Sequence, residues 1–285
     1  VSCDAHVVKP LFFPGGDIGR LAVCGTVNDV AMCGAKPLYL SASFILEEGF
    51  PLADLECIVC SMAEAAREAR VAIVTGDTKV VERGKGDGVY ISTSGIGEKL
   101  TDRTISGKNA QPGDKILVSG GIGEHGMTIM SLRENMTFGT TLESDCAPLA
   151  DLVADVLAAA PDTHVLRDPT RGGLATTLNE IAGESGVGMM LEETAIPVSD
   201  AVRAACEFLG LDPLYVANEG KLIAIVPANE ADAALAAMHA NARGRDAAVI
   251  GTVTEAHRGF VEMRTPMGGV RTVDWLTGEQ LPRIC

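Results

Sequence analysis

Cationic charge is in short supply in this 285-residue chain, with 23 Lys and Arg against 38 Asp and Glu and a net charge of −15. A field of that sign repels nucleic acid and anionic membranes, and an anionic substrate such as ATP would need a local cation, most simply Mg²⁺. Long apolar runs are missing as well. The longest, such as 152–160 broken by Asp155, fall well short of the ~20 residues that a membrane helix needs, and no signal segment opens the chain. Aromatic residues make up 4% against 47% hydrophobic residues in all, the balance of an α/β enzyme with an Ala/Val/Leu/Gly-rich core. The eight cysteines, at 3, 24, 33, 57, 60, 146, 206 and 285, show no repeated spacing, so reduced thiols and a cytoplasmic location are expected. Cys57-x-x-Cys60 falls inside the helical pattern of Leu55, Ile58, Val59 and Met62 and lacks the two further ligands of a zinc site.

What is present alternates between strand and helix in both halves. Residues 1–8 read as a strand, 13–17 as a turn and 18–34 as a helix closed by Gly34 and Pro37. A strand over 38–46, a helix over 52–70 and a short buried strand over 71–74 follow. Residues 78–81 and 89–95 read as two further strands around the glycine-rich turn 84–88. The polar segment 101–113 reads as a boundary. Beyond it, strands are expected at 115–119, 164–167, 187–191, 222–226, 248–253 and 260–263, with helices near 124–134, 146–159, 172–184, 199–209 and 230–241. Two α/β or α+β domains are the expected architecture, divided as 1–105 and 106–278, with 279–285 a mobile tail.

Several polar clusters sit at the ends of these elements. Asp4, Asn28 and Asp77 offer the hard oxygen ligands that Mg²⁺ takes alongside phosphate, although Asn28 equally suits a helix face and Gly76-Asp77 a turn. Arg171-Gly172-Gly173 opens a helix whose N-terminal amides can hold phosphate. Gly121-Ile122-Gly123-Glu124-His125-Gly126 satisfies the dinucleotide fingerprint. The acid that should bind the ribose must end a second strand, however, whereas Glu143 and Asp145 sit in a turn opening a helix. Asn218-Glu219-Gly220-Lys221 places a carboxylate just before a strand. The last residue is a cysteine, Cys285, seven residues beyond Gly278 on an arm that spans roughly 23–25 Å when extended.

Taken in order, Asp4, 12–19, 27–29, 75–79, 124–126, 168–174, 218–221 and the terminal Pro282-Arg283-Ile284-Cys285 resemble the HypE family of hydrogenase maturation factors over the whole chain. Some of these elements are shared with aminoimidazole ribonucleotide synthetase, selenophosphate synthetase and thiamine phosphate kinase. The terminal Pro-Arg-Ile-Cys singles out HypE. The resemblance implies a two-domain aminoimidazole ribonucleotide synthetase-like fold whose N-terminal sheets join in a homodimer barrel. It also implies a glycine-rich segment ahead of Val1.

The activity implied is ATP-dependent dehydration of S-carbamoylated Cys285 to a thiocyanate, the source of a cyanide ligand for [NiFe]-hydrogenase iron. A carbamoyltransferase, HypF, would load Cys285, and a HypC–HypD complex would receive the cyanide. Carried over by motif, the catalytic residues are Cys285 with Glu219 or His125 as base. ATP would be bound by Asn28, Asp29, Thr78, Lys79, Asp168, Arg171, Gly172 and Asn218, and Mg²⁺ by Asp4, Asn28 and Asp77. The rival readings are a small-molecule ATP-dependent kinase or cyclo-ligase of the same superfamily, and a non-catalytic dimeric scaffold.

Overall fold

The computed structural model of the chain describes residues 1–136 and 142–276. In the N-terminal half, strand β1 (Ser2–His6) leads to a small ribbon of β2 (Phe12–Phe13) and β3 (Gly16–Asp17). Helix α1 (Ile18–Met32), strand β4 (Ala35–Glu47), helix α2 (Leu52–Glu68), strand β5 (Ala72–Val81) and strand β6 (Val89–Lys99) follow. Helix α1 begins where it does because the Asp17 carboxylate accepts the backbone N–H groups of Gly19 (2.7 Å) and Arg20 (2.9 Å), which the first helical turn would otherwise leave unsatisfied. It ends at Gly34, whose φ of +69° lies in the region glycine favours. Between these caps the helix is buried on nearly every face, as expected of a helix that is apolar all round. It packs on β6, β1, β4 and α2 and, across the molecule, on α4 of the other half.

The strands of this half form a four-stranded sheet in the order β1-β6-β4-β5, with β6 antiparallel to both neighbours and β5 parallel to β4 through the α2 crossover. Four expectations are corrected here. Residues 71–74 and 78–81 are not two strands but parts of one, and β5 does not pair with β6, because β4 lies between them. Nor is this strand buried: Ile73, Val74 and Val80 are exposed, on an edge with no further strand beside it among the described residues. Gly76 is no turn residue. A Cβ there would collide with the Ala42 carbonyl, so glycine is what lets the two strands approach in mid-sheet.

The second half runs through β7 (Lys115–Val118), α3 (Glu124–Arg133), α4 (Ala150–Ala159), β8 (Val165–Arg167), α5 (Gly173–Ser185), β9 (Gly188–Glu192) and α6 (Asp200–Leu209). It closes with β10 (Ile223–Val226), α7 (Ala231–Ala240), β11 (Ala248–Thr254), β12 (Val261–Arg264) and β13 (Val270–Val273), the last a strand not expected from sequence. Their order is β13-β12-β9-β11-β7-β10-β8, antiparallel except for β12 beside β9. One core joins Leu174, Leu178 and Ile181 of α5 to the sheet; another joins α4 and α7 to it and takes in Ala31 and Met32 of α1. The two halves therefore share a core, and the seam between them runs along α1.

Candidate functional site

The seam is built from loops that other residues hold in place. Asn28, on α1 and 2% exposed, donates through Nδ2 to the carbonyls of Ala147 (3.0 Å) and Glu219 (3.3 Å) and accepts at Oδ1 from the Leu149 N–H (2.8 Å). Asn218, fully buried, donates to the carbonyls of Pro169 (2.9 Å) and Val216 (3.1 Å) and accepts from the Gly123 N–H (2.7 Å). Sequence reasoning expected both amides to reach ATP, and Asn28 to ligate the metal as well. In the structure each amide has both donors and its oxygen engaged within the protein, so these side chains suture loops.

Glu219 is the exception in its motif. Asn218 holds two loops, and Gly220 has no room for a Cβ against the Asp145 carbonyl. The Lys221 ammonium pairs with Glu124 (3.1 Å) and Asp145 (3.2 Å). The Glu219 side chain, by contrast, is buried with Oε1 lacking any hydrogen-bond partner in the described structure. Burial pushes its carboxyl well above the ordinary carboxylate range, and the nearby Asp145, Asp168 and Asp4 reinforce the shift. Burial alone would lower Lys221, but Asp145 and Glu124 hold it above the usual lysine value.

His125 opens α3 and is fully buried. Its Nδ1 lies 2.8 Å from Ser144 Oγ, which also accepts from the Cys146 N–H (3.1 Å), and Phe13 stands edge-on to the ring at 5.5 Å between centroids. Ser144 thus reaches His125, and the next residue, Asp145, reaches the Glu219 amide. Sequence reasoning met Asp145 only as a turn residue; the irregular stretch preceding α4 gave no periodic signal that would have marked either residue. Cys146, beside them, is buried, and Cys24 together with burial pushes its thiol well above the usual range, so it stays neutral and inert.

The expected acids separate into two groups. Asp4, Asp29 and Asp168 converge in the seam. Burial, then the charge of Asp29, pushes Asp168 up to about 6, and burial raises Asp29 as well. Asp77, Thr78 and Lys79 lie on exposed β5, where Lys79 Nζ pairs with Asp77 (2.7 Å) and, with the Thr78 N–H, holds its carboxyl below the usual range. Asp4 stands level with Thr93, Ala42 and Gly76 across the sheet, three strand spacings or roughly 14 Å from the row of Asp77. Within one chain, then, the set Asp4, Asn28 and Asp77 does not assemble. Among the described residues no three His, Cys, Asp or Glu side chains stand close enough to hold an ion by themselves.

At α5, Gly172 (φ +74°) and Gly173 (φ +61°) bend the chain so that the helix starts without a side-chain cap. A Cβ on Gly172 would strike Thr176 Oγ1, itself buried with no protein partner, and one on Gly173 would strike the carbonyls of Leu214 and Val216. Uncapped N–H groups beside an unpartnered hydroxyl suit a phosphate. Arg171 lies exposed at the mouth of this turn. Cys285 and the tail 279–285 lie outside the described residues.

Comparison with known proteins gives a concordant picture. Residues 1–98 match the AIR synthase related protein N-terminal domain and residues 111–264 its C-terminal domain. The chain is 67% identical over 285 residues to the carbamoyl dehydratase HypE of Cupriavidus necator, covering 100% of this chain and 81% of that protein. A solved hydrogenase maturation protein HypE in complex with ATP superposes with a TM-score of 0.97 at 56% identity, covering 100% of this chain and 86% of that one. A HypE–HypF complex superposes with a TM-score of 0.94 at 52% identity, covering 96% and 90%. Thiamine monophosphate kinase from Aquifex aeolicus, 20% identical with a TM-score of 0.70, shares the fold.

Proposed function

The chain belongs to the AIR synthase related family and, within it, to the HypE carbamoyl dehydratases, and from that premise we propose that Glu219 is the base that removes the carbamoyl N–H protons. The overall reaction is ATP-dependent dehydration of S-carbamoylated Cys285: R–S–C(O)NH₂ and ATP become R–S–C≡N, ADP and phosphate. When bound, ATP supplies the phosphoryl group that turns the carbamoyl oxygen, a poor leaving group, into phosphate. Closing the C≡N bond then requires both N–H protons to leave, a task for a base held within reach of the nitrogen.

The observation that carries this reading is the Glu219 carboxyl, buried with Oε1 unpartnered in a motif whose other residues are all engaged. A carboxyl raised above its ordinary value by burial and neighbouring charge is, once ionised, a stronger base than a free carboxylate. His125, packed on Phe13 and held by Ser144, is the second candidate. The chain binds ATP. For its phosphates we favour the turn at Arg171 and Gly172 with the α5 N-terminus, and for Mg²⁺ the phosphate oxygens themselves joined by carboxylates from among Asp4, Asp29 and Asp168, whose mutual repulsion a divalent cation would relieve.

Asp77, Thr78 and Lys79 enter this scheme through a second copy of the chain. The exposed β5 edge and its apolar groove of about 760 Å³, lined by Phe44, Val59, Met62, Ile73 and Val74, support a homodimer in which these sheets join, bringing Asp77 to the partner's site. The carbamoyltransferase HypF is the partner that loads Cys285, and a HypC–HypD complex is proposed to receive the cyanide. No helix among the described residues is long and apolar enough to cross a membrane, and we place the reaction in the cytoplasm. The division into 1–105, 106–278 and 279–285 is kept as the proposed domain scheme. Mass spectrometry of Cys285 after loading tests the function: the carbamoyl adduct should appear and then, with Mg²⁺ and ATP, lose the mass of one water. A small-molecule kinase or cyclo-ligase would leave Cys285 unmodified.

A further inference from the structure

We propose that Asp145 is a positioning residue for the dehydration, fixing the Glu219-Gly220 backbone so that the Glu219 carboxyl is presented in one orientation; this rests on the reading of Glu219 as the base. The Asp145 side chain is 2% exposed and its two oxygens are divided between successive amides. Oδ1 accepts from the Glu219 N–H and Oδ2 from the Gly220 N–H, each at 3.1 Å. Two bonds from adjacent peptides to one planar carboxylate set the tilt of the backbone as well as its position. Lys221, 3.2 Å from Oδ2, balances the buried charge and is steadied in turn by Glu124. From the other side, Asn28 donates to the Glu219 carbonyl (3.3 Å). The peptide that carries Glu219 is therefore gripped at both its N–H and its C=O, while Oε1 of its side chain is left without a partner. Gly220 completes the grip, since any Cβ there would hold the Asp145 backbone away. A reacting group depends on supporting residues that lock its geometry to about half an ångström, and Asp145 is the described residue that does this at the Glu219 amide.

The experiment is a double-mutant cycle on the full-length protein, read as single-turnover dehydration of carbamoylated Cys285. Asp145→Asn can still accept one of the two amide bonds. Its NH₂ then faces the other N–H and the Lys221 ammonium, so the grip loosens without a change in volume. We expect a rate roughly 10–100-fold lower, with KM for ATP within about twofold of the parent and loading by the carbamoyltransferase unchanged. Because Asp145 acts through Glu219, adding Asp145→Asn to Glu219→Gln should slow that protein no further. Lys221→Met is the second variant, should Asp145→Asn not fold. It loosens Asp145 from one side and should lose a smaller factor, which again vanishes in the Glu219→Gln background. Additive losses, an unchanged rate, or a KM for ATP rising in step with the loss would overturn the proposal. A Glu219→Gln protein as fast as the parent would overturn the base assignment itself, an outcome distinct from additivity on top of a slow one.

Discussion

The seam along α1 and the outer strand β5 carry candidate functional residues under opposite conditions. In the seam, polar side chains are buried and matched, Asn28, Asn218, Asp145 and Lys221 each spending their capacity on a neighbour, and one carboxyl oxygen stands apart. On β5, Asp77 and Lys79 pair with each other in the open, beside apolar side chains that nothing among the described residues covers. A surface pair of that kind is worth little by itself, about 0–1 kcal/mol. A buried network has its chemistry set by the fold, whereas an exposed one takes its meaning from what comes to lie against it.

The severest test of this contrast removes the substrate attachment and leaves both regions intact. Cys285→Ala should give no thiocyanate and no cyanide transfer, with an unchanged melting temperature and unchanged ATP affinity; normal hydrogenase maturation in that strain would sink the assignment. Next, Glu219→Gln keeps shape but cannot accept a proton, so the lifetime of the carbamoyl adduct should lengthen by about 10²–10⁴ while ATP still binds. A loss under tenfold, with His125→Ala the slower protein, would move the base to His125. On the exposed side, Asp77→Asn should weaken Mg²⁺-dependent ATP binding by about tenfold and leave loading of Cys285 untouched. Equal affinities across a Mg²⁺ titration would leave β5 out of the nucleotide site.

The smallest effect is on stability. The Glu219 carboxyl is raised in the folded protein above its unfolded value near 4.3, so its contribution is full below that value and is lost as pH rises through the folded one. Glu219→Gln does not titrate. Its stability relative to the parent should therefore grow as pH rises above the unfolded value, visible in thermal melts compared at pH 5 and pH 8. A difference that stays flat would mean that the carboxyl is not held protonated by its surroundings.

Most elements could be read from the residues because local signals and tertiary demands agree. Asp17 and Gly34 bracket α1, and Gly210 closes α6 with φ +68°. The two strand errors have different causes: at β5 a sequence cannot tell a glycine that bends the chain from one that admits a neighbour, whereas β13 is a short, largely exposed edge strand with little apolar signal. Gly76-Asp77 looked like a turn and proved to be the middle of β5, and β13 was hidden beside Gly268-Gly269 with Arg271 at its centre. Around the seam, Glu219 and His125 stood out in the sequence because their motifs are compact, and both prove to be buried there. Asn28 and Asn218 were legible as important but not for their work, since an amide that binds a ligand and one that ties two loops look alike until the partners are placed. Asp145 was not legible, because its role lies in contacts some 75 residues away along the chain.

The Asn28 amide also limits how the molecule can be taken apart. It belongs to the first half, yet the backbone it secures, at Ala147, Leu149 and Glu219, belongs wholly to the second. A gene cut within 101–113 would thus yield two fragments, neither of which carries a formed centre, and activity would return only on co-expression, when α1 is threaded back against α4 during joint folding.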